Sequence, residues 1–271
     1  MSYSPVIPVS GYAGWVFLNK TKEQQQAAFV ASAGFQHNKT YFREKIANIK
    51  TADELVSDRR LMAIALGAFG LDEDINNKFF IRKILEEGTL DSSSLANKLS
   101  DKRYKELSSA FGFGDFSVPR TVLSDFPDEI LQKYEQKQFE IAVGDVDESM
   151  RLAMNAQNEL PEIANSTASE NAKWFKIIGS APLSLFFQGA LGLPKSIGAL
   201  DVDQQVSIYM DKTKQKLGVN SLAELSNPES LEKAVKTFLL RSQVAQMSIP
   251  SNGTVALQLL QGSSGSFSLR L

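Results

Sequence analysis

The chain has 271 residues, 43% hydrophobic and 22% charged, enough apolar material for one large core or two small ones and too much for wholesale disorder. Its 29 basic and 31 acidic residues are well mixed and leave a formal net charge of -2, so no concentrated basic face is on offer to nucleic acid. Cysteine is absent, which removes disulfides, thiolate metal sites and cysteine nucleophiles.

Met1 to Lys20 has neither the basic start nor the apolar run of a signal peptide. No stretch approaches the roughly 18 consecutive apolar residues of a membrane span; the longest candidate, Leu61 to Leu71, contains Gly67 and Gly70. The expectation is a soluble protein made in the cytoplasm, with export by a route that uses no cleaved signal left open. The opening Pro5-Val6-Ile7-Pro8-Val9-Ser10-Gly11-Tyr12-Ala13-Gly14-Trp15 is apolar but punctuated by Pro and Gly. It reads as part of an extended N-terminal arm over residues 1–21, docked on its own domain.

Helical periodicity begins near Lys22 and continues through Phe29, Tyr41, Phe42 and Ile46. Thr51-Ala52-Asp53-Glu54 matches a capping box. Asp58 suits the N-cap of a stripe formed by Leu61, Ile64, Ala65 and Ala68 that ends at Gly70. Asp74 can cap a further helix with Ile75, Phe79, Ile81 and Leu85 inward and Gly88 as its stop. Two short helices follow, one from Leu95 to Leu99 and one from Asp101 to Phe111. A connector runs through Gly112-Phe113-Gly114 and Ser117-Val118-Pro119. Phe126-Pro127 opens a longer amphipathic segment with Ile130, Tyr134, Phe139 and Ile141 apolar. With Met150 to Ile163 it reads as a long helical hairpin or a broken helix. Few runs alternate with period two and none is bracketed by hairpin turns, so the fold class is all-α and multihelical.

The halves repeat one another. Leu66-Gly67-Ala68-Phe69-Gly70-Leu71 matches Gln188-Gly189-Ala190-Leu191-Gly192-Leu193. Leu95-Ala96 and Leu99-Ser100-Asp101 match Leu222-Ala223 and Leu225-Ser226-Asn227, and Phe111 then answers Phe238. The second copy closes on a helix with Asn227 as N-cap and Pro228 at its first position. The organisation expected is a diverged internal duplication: arm 1–21, first helical repeat 22–115, connecting helices 116–165, second helical repeat 166–250. A short helix and a flexible Ser/Gly-rich tail over 251–271 complete it, the whole forming one compact domain.

Chemistry is hard to find. His37 is the single histidine, and neither a Ser-His-Asp triad nor a multi-histidine metal site is expected to be complete unless chains assemble around it; it reads as a solvated loop residue. Gly189 to Ser196 superficially resembles a phosphate loop, but Pro194 stands where the Walker pattern needs glycine and removes a donor. A helix C-cap and turn is the simpler reading. Asp72-Glu73-Asp74 and Asp145-Val146-Asp147-Glu148 lack the spacing of a calcium loop and read as acids favoured at helix N-termini. Arg59-Arg60 and Lys102-Arg103-Tyr104-Lys105 have acids beside them and read as solvated helix faces. Trp15, Phe17, Phe29, Phe35, Trp174, Phe175, Phe186 and Phe187 read as core, with an exposed groove for a partner helix as the alternative. No catalytic, cofactor-binding or metal residue is nominated, and no cofactor is implied.

Several segments are similar to an uncharacterised bacterial family. These are Pro5-Val6-Ile7-Pro8 with Gly11-Tyr12-Ala13-Gly14-Trp15, Tyr41-Phe42-Arg43, Leu66 to Leu71, and Phe80-Ile81-Arg82-Lys83-Ile84-Leu85-Glu86-Glu87-Gly88. Leu95 to Leu99, Asp101 to Tyr104 and Ala110-Phe111-Gly112 complete the pattern. The likeness spans nearly the whole chain and is dense in its first half. What it implies is a multihelical domain of unknown function, often encoded among flagellar genes, with no established site residues to carry over. The expectation is therefore a non-enzymatic, flagellum-associated protein acting through protein–protein contacts, as an assembly, regulatory or structural accessory factor. Its partner would be a protein, with a flagellar component as the candidate the resemblance implies; no nucleic-acid partner is expected, and the oligomeric state stays open. The alternative is an enzyme using carboxylates in a helical cleft, for which a pocket holding two perturbed carboxylates would speak.

Overall fold

The computed structural model describes residues 3–247, and among these there is no strand. The helices in chain order are α1 Gly11–Val30, α2 Ala33–Lys45, α3 Ala52–Ser57, α4 Arg59–Ala68, α5 Lys78–Glu87, α6 Leu95–Lys98 and α7 Arg103–Phe111. The long α8 Phe126–Val146 and α9 Glu148–Asn165 follow, then α10 Glu170–Gly179, α11 Ala181–Leu191, α12 Val202–Leu217 and α13 Pro228–Met247. The all-α reading holds. The tail expected over 251–271 lies outside the described residues.

Local rules explain most helix starts. Thr51 accepts a hydrogen bond from the Glu54 N–H while the Glu54 carboxylate accepts one from the Thr51 N–H, a reciprocal capping box. Asp58 caps α4 through the N–H groups of Arg60 and Leu61. Asp147 both ends α8 and caps α9, so the expected long segment is a hairpin rather than one broken rod. The interior helix α9 sits between α8, α11 and α13.

Three expectations need correction. The arm is shorter than residues 1–21: only 3–10 are non-helical, and α1 begins at Gly11. Gly11 takes φ +70, and a Cβ at Gly14 would come within 1.8 Å of the Val9 carbonyl oxygen. The two glycines thus turn the arm back across a helix instead of breaking it. Second, Asp74 does not cap α5. It lies in a 3-10 turn, Asp72–Asn76, and Asn77 precedes the helix. Ile81, Ile84 and Leu85 share one face and are buried, whereas Phe79, two residues before Ile81, falls on the opposite side and is 70% exposed, with the Arg82 guanidinium over its ring. Third, His37 is solvent-exposed as expected, but on helix α2 rather than in a loop.

Apolar side chains gather in two clusters. One takes Phe35, Phe42 and the buried faces of α3, α4, α5 and α7; the other takes Trp15, Leu18, Trp174 and the buried faces of α9 to α13. Helix α8 serves both, giving Phe126, Ile130, Leu131 and Tyr134 to the first and Phe139 and Val143 to the second. Phe29 of α1 packs against both clusters, its ring centroid 5.1 Å from Phe35 and 5.8 Å from Phe139. Of the eight aromatics expected in the core, Phe17 and Phe175 lie partly exposed instead.

Helices α4 and α11 end alike. Gly70 and Gly192 have φ +66 and +68, and the N–H groups of Leu71 and Leu193 donate to the carbonyls of Leu66 and Gln188, each at 2.9 Å. This is the bond pattern of a Schellman cap. One turn earlier, Gly67 faces the Tyr134 ring and Gly189 faces the Phe238 ring, so close that a Cβ would lie 2.8 and 2.6 Å from a ring carbon. Phe111 and Phe238, matched in the sequence, therefore do different things. Phe111 packs on Phe113 and Phe126, and the aromatic over Gly67 belongs to α8.

Gly67→Ala and Gly189→Ala are each expected to destabilise the protein by about 1–3 kcal/mol through overpacking. Gly34→Ala, which meets nothing within 4 Å, should cause no loss; urea denaturation compares the three. The arm gives a second prediction. Gln25, buried on α1, accepts from the Val6 N–H at 2.7 Å and donates to the Val6 carbonyl at 3.1 Å. Gln25→Ala should expose residues 3–10 to proteolysis and amide exchange while lowering global stability by only about 1 kcal/mol. An arm still protected in that variant would show that Tyr3 and Ile7 alone hold it.

Candidate functional site

The candidate site is a charged cleft on the α8–α9 hairpin. Along α8, Lys137 and Glu140 are three residues apart; along α9, Asn155, Asn158 and Glu159 stand at i, i+3 and i+4. Helical geometry puts each set on one face, and the hairpin turns the two faces together. Lys137 Nζ lies 2.6 Å from Glu159 Oε1 and 3.3 Å from Glu140 Oε2. Asn158 Nδ2 donates to the other Glu140 oxygen at 2.6 Å, and Asn155 Nδ2 donates to Glu159 at 2.8 Å. Glu140 is only 3% exposed. A carboxylate that deep must be paired, since several kcal/mol of hydration is lost on burying an ion. Burial alone would lower the Lys137 pKa, but the charges of Glu140 and Glu159 and their hydrogen bonds outweigh it and hold the ammonium above its ordinary value.

The opposite wall comes from the end of α4, the turn Asp72–Asn76 and α7. Gln138 Nε2 donates to Asp72 Oδ1 at 2.7 Å, tying that turn to α8. Tyr104 donates its hydroxyl to Asp74 Oδ2 at 2.6 Å; burial and this carboxylate raise the phenol pKa well above the ordinary value. Arg103 is gripped by both oxygens of Asp101 and donates to the Gly70 carbonyl. The left-handed glycine that ends α4 thus presents its carbonyl to an arginine of the cleft. Arg151 pairs with Glu148 at 2.5 Å, and Ser180, Pro182 and Leu185 at the start of α11 close the rim.

Two lobes result, of about 560 and 340 Å³, both lined by Phe69, Arg103, Lys137, Glu159 and Ser180. That is the size of a small-molecule or side-chain pocket. The structure brings together the acidic stretches Asp72-Glu73-Asp74 and Asp145 to Glu148, which sequence spacing had separated, and adds Arg103 and Tyr104 from a run expected to be solvated. Asp147 and Glu148 stand at the N-terminus of α9 as expected, whereas Asp145 lies in the last turn of α8. Gly189 to Ser196 stays apart as a C-cap and 3-10 turn, as expected. Lys137, Glu140, Asn155 and Glu159 went unnoticed, although polar residues at helical spacing on two adjacent amphipathic segments were a usable signal. Among the described residues, no cluster of three or more His, Cys, Asp or Glu is arranged to hold a metal ion, and no helix is long and apolar enough to cross a membrane.

An all-α fold built on a hairpin that buries a clamped ion cluster, with a polar cleft beside it, defines the class structurally. The profile of the family of proteins of unknown function DUF1217 matches residues 68–231, more than half of the chain, and the chain belongs to that family. The motifs near Pro5 to Trp15 and Tyr41 to Arg43 fall outside the matched span. The protein is similar to an Agrobacterium tumefaciens protein of known crystal structure, with 25% identity and a TM-score of 0.72 over 89% of this chain and 98% of that one. Among curated proteins none matches.

Removing the ammonium should leave Glu140 buried without its counter-charge. Lys137→Met is expected to lose about 3 kcal/mol at neutral pH, and Lys137→Met/Glu140→Leu should recover part of it. The folded-state pKa of Lys137 is raised, so its contribution is complete below the unfolded lysine value of about 10.4 and fades as pH climbs through the folded value. The gap between Lys137→Met and the unsubstituted protein should therefore be flat from pH 7 to about 10 and shrink above that. Equal urea midpoints at pH 7 would contradict the clamp.

Proposed function

We propose that the protein acts through contacts with another protein, without chemistry of its own, as an assembly, regulatory or structural accessory of the flagellum. The observation that carries the non-enzymatic part is the Lys137 clamp. Glu140 and Glu159 are the deepest carboxylates of the cleft's hairpin wall, and one ammonium holds both. A carboxylate hydrolase needs an acid and a base free to meet substrate on either side, whereas here the pair is neutralised and hydrogen-bonded from behind. The carboxylate-enzyme reading keeps in its favour the cleft itself and Glu106 of the smaller lobe, whose carboxyl is held above its ordinary value by desolvation and by the charge of Glu159.

Contact surface is on offer elsewhere. The connector between α7 and α8 leaves Phe116, Val118, Val122 and Leu123 exposed, an apolar run of the kind that marks partner sites. The flagellar setting rests on the family resemblance alone. Within it, the role of an axial subunit with pairing terminal heptads fits poorly, because Trp15 and Leu18 of α1 are committed to the protein's own core. The matched caps at Gly70 and Gly192, each preceded by a glycine under an aromatic ring, support a diverged internal duplication in which α8 and α13 hold equivalent places.

The test is fractionation of an epitope-tagged protein in its own host into cytosol, medium and purified flagellar basal bodies, repeated in a strain without flagellar export. Recovery in basal bodies or medium that disappears without export identifies an exported component. Cytosolic protein that co-purifies with a flagellar component in both strains identifies a cytoplasmic factor. Protein with no flagellar association in either strain removes the flagellar reading.

A further inference from the structure

The larger lobe of the cleft is unbalanced. Seven carboxylates line it against three basic side chains, Arg103, Lys137 and Arg151, and each of the three is already engaged by an acid. An acidic lining alone would indicate only a solvated surface. Asn155 makes the difference. It is 3% exposed, it lines this lobe, and its Oδ1 has no hydrogen-bond partner within the protein. The amide orientation is fixed, because Nδ2 donates to Glu159; a flipped amide would set oxygen against carboxylate. A second buried acceptor, Asp72 Oδ2, lines the same lobe and is also unpartnered, its other oxygen being held by Gln138. Unpaired buried acceptors of this kind are unfavourable, and a bound donor relieves the cost.

We propose that this lobe binds an aliphatic ammonium or guanidinium group, with Asn155 Oδ1 and Asp72 Oδ2 accepting its N–H bonds. Negative charge selects a cation, and two lone acceptors select one that carries several N–H donors. A metal ion lacks those donors and finds no three-ligand cluster among the described residues. Phe69, Leu71, Ile141 and Leu185 add apolar wall, which suits a methylene stem behind a charged head. Two sources share this chemistry: a free polyamine, or a lysine or arginine side chain of a protein partner. The second source deepens the contact reading above; the site itself stands without it.

The experiment is calorimetric titration of the full chain with agmatine, with an arginine-containing and a lysine-containing peptide, and with inorganic phosphate as a counter-probe. The variants are Asn155→Leu, which removes the acceptor at similar volume, Asp72→Asn, which removes charge with shape kept, and Glu44→Gln on the exposed face of α2 as a control. Saturable binding of agmatine or a peptide, weakened tenfold or more by Asp72→Asn and Asn155→Leu and unchanged by Glu44→Gln, supports the site. Agmatine binding without peptide binding would support the site and withdraw it from the protein-contact reading; peptide binding alone would assign the group to a partner. Should Asn155→Leu fail to melt cooperatively, Asp72→Asn against Glu44→Gln decides. No binding of any cation, equal loss in all three variants, or binding of phosphate in their place overturns the proposal.

Discussion

Lys137 sits where the two apolar clusters meet, three residues after Tyr134 of the first and two before Phe139 of the second. A single helix that feeds both clusters can be placed against its neighbours in only one register if a charge at its midpoint must find buried partners. The ammonium supplies that condition. Its bond to Glu159, with the Asn158–Glu140 bond beside it, fixes α8 against α9 along the axis and in rotation, whereas apolar packing alone tolerates sliding by a turn. Such a pair adds little to net stability compared with well-packed hydrophobes, but breaking one half of it is strongly unfavourable. Here it acts as a registration device, and the cleft walls inherit their positions from it.

The aromatic seam works in the same direction. Phe29, Phe35 and Tyr134 run from one cluster, and Phe29 reaches Phe139 in the other, with centroid separations of 5.0 to 5.8 Å. Close approach of helices elsewhere is secured by absence of side chain: Gly67 admits Tyr134 and Gly189 admits Phe238. Because the same glycine helix ends in a left-handed residue whose carbonyl is taken by Arg103, the packing of α4 on α8 and the shape of the cleft's far wall are one problem with one solution.

Helix class, most caps and the hairpin were legible because they depend on residues close in sequence: Thr51 with Glu54, Asp58 with Leu61, Gly88 and Gly192 at their stops. The arm was misjudged at Gly11 and Gly14 because a glycine that breaks a helix and one that lets another strand of chain cross it look the same in sequence; only the Val9 carbonyl tells them apart. Phe79 and Ile81 are both apolar but stand two residues apart, on opposite sides of a helix; apolar character alone does not say which of them faces the core, and the structure buries Ile81. The cleft was invisible for a different reason. Its parts come from positions 72, 103, 137, 155 and 180, each unremarkable in its own segment, and their meeting depends on the register that Lys137 sets.

That dependence bears on how the cleft can be used. Residues that clamp α8 to α9 cannot also cycle through protonation or release without loosening both clusters, so chemistry at Glu140 or Glu159 would work against the fold. Asn155 and Asp72 are placed differently. Each spends one polar atom on the scaffold, through Glu159 and Gln138, and leaves the other buried without a partner in the lining of the cleft. A group bound there would be read by atoms held rigid by the clamp yet not needed for it, which is the arrangement a recognition site requires: positions set by the core, and acceptors left over.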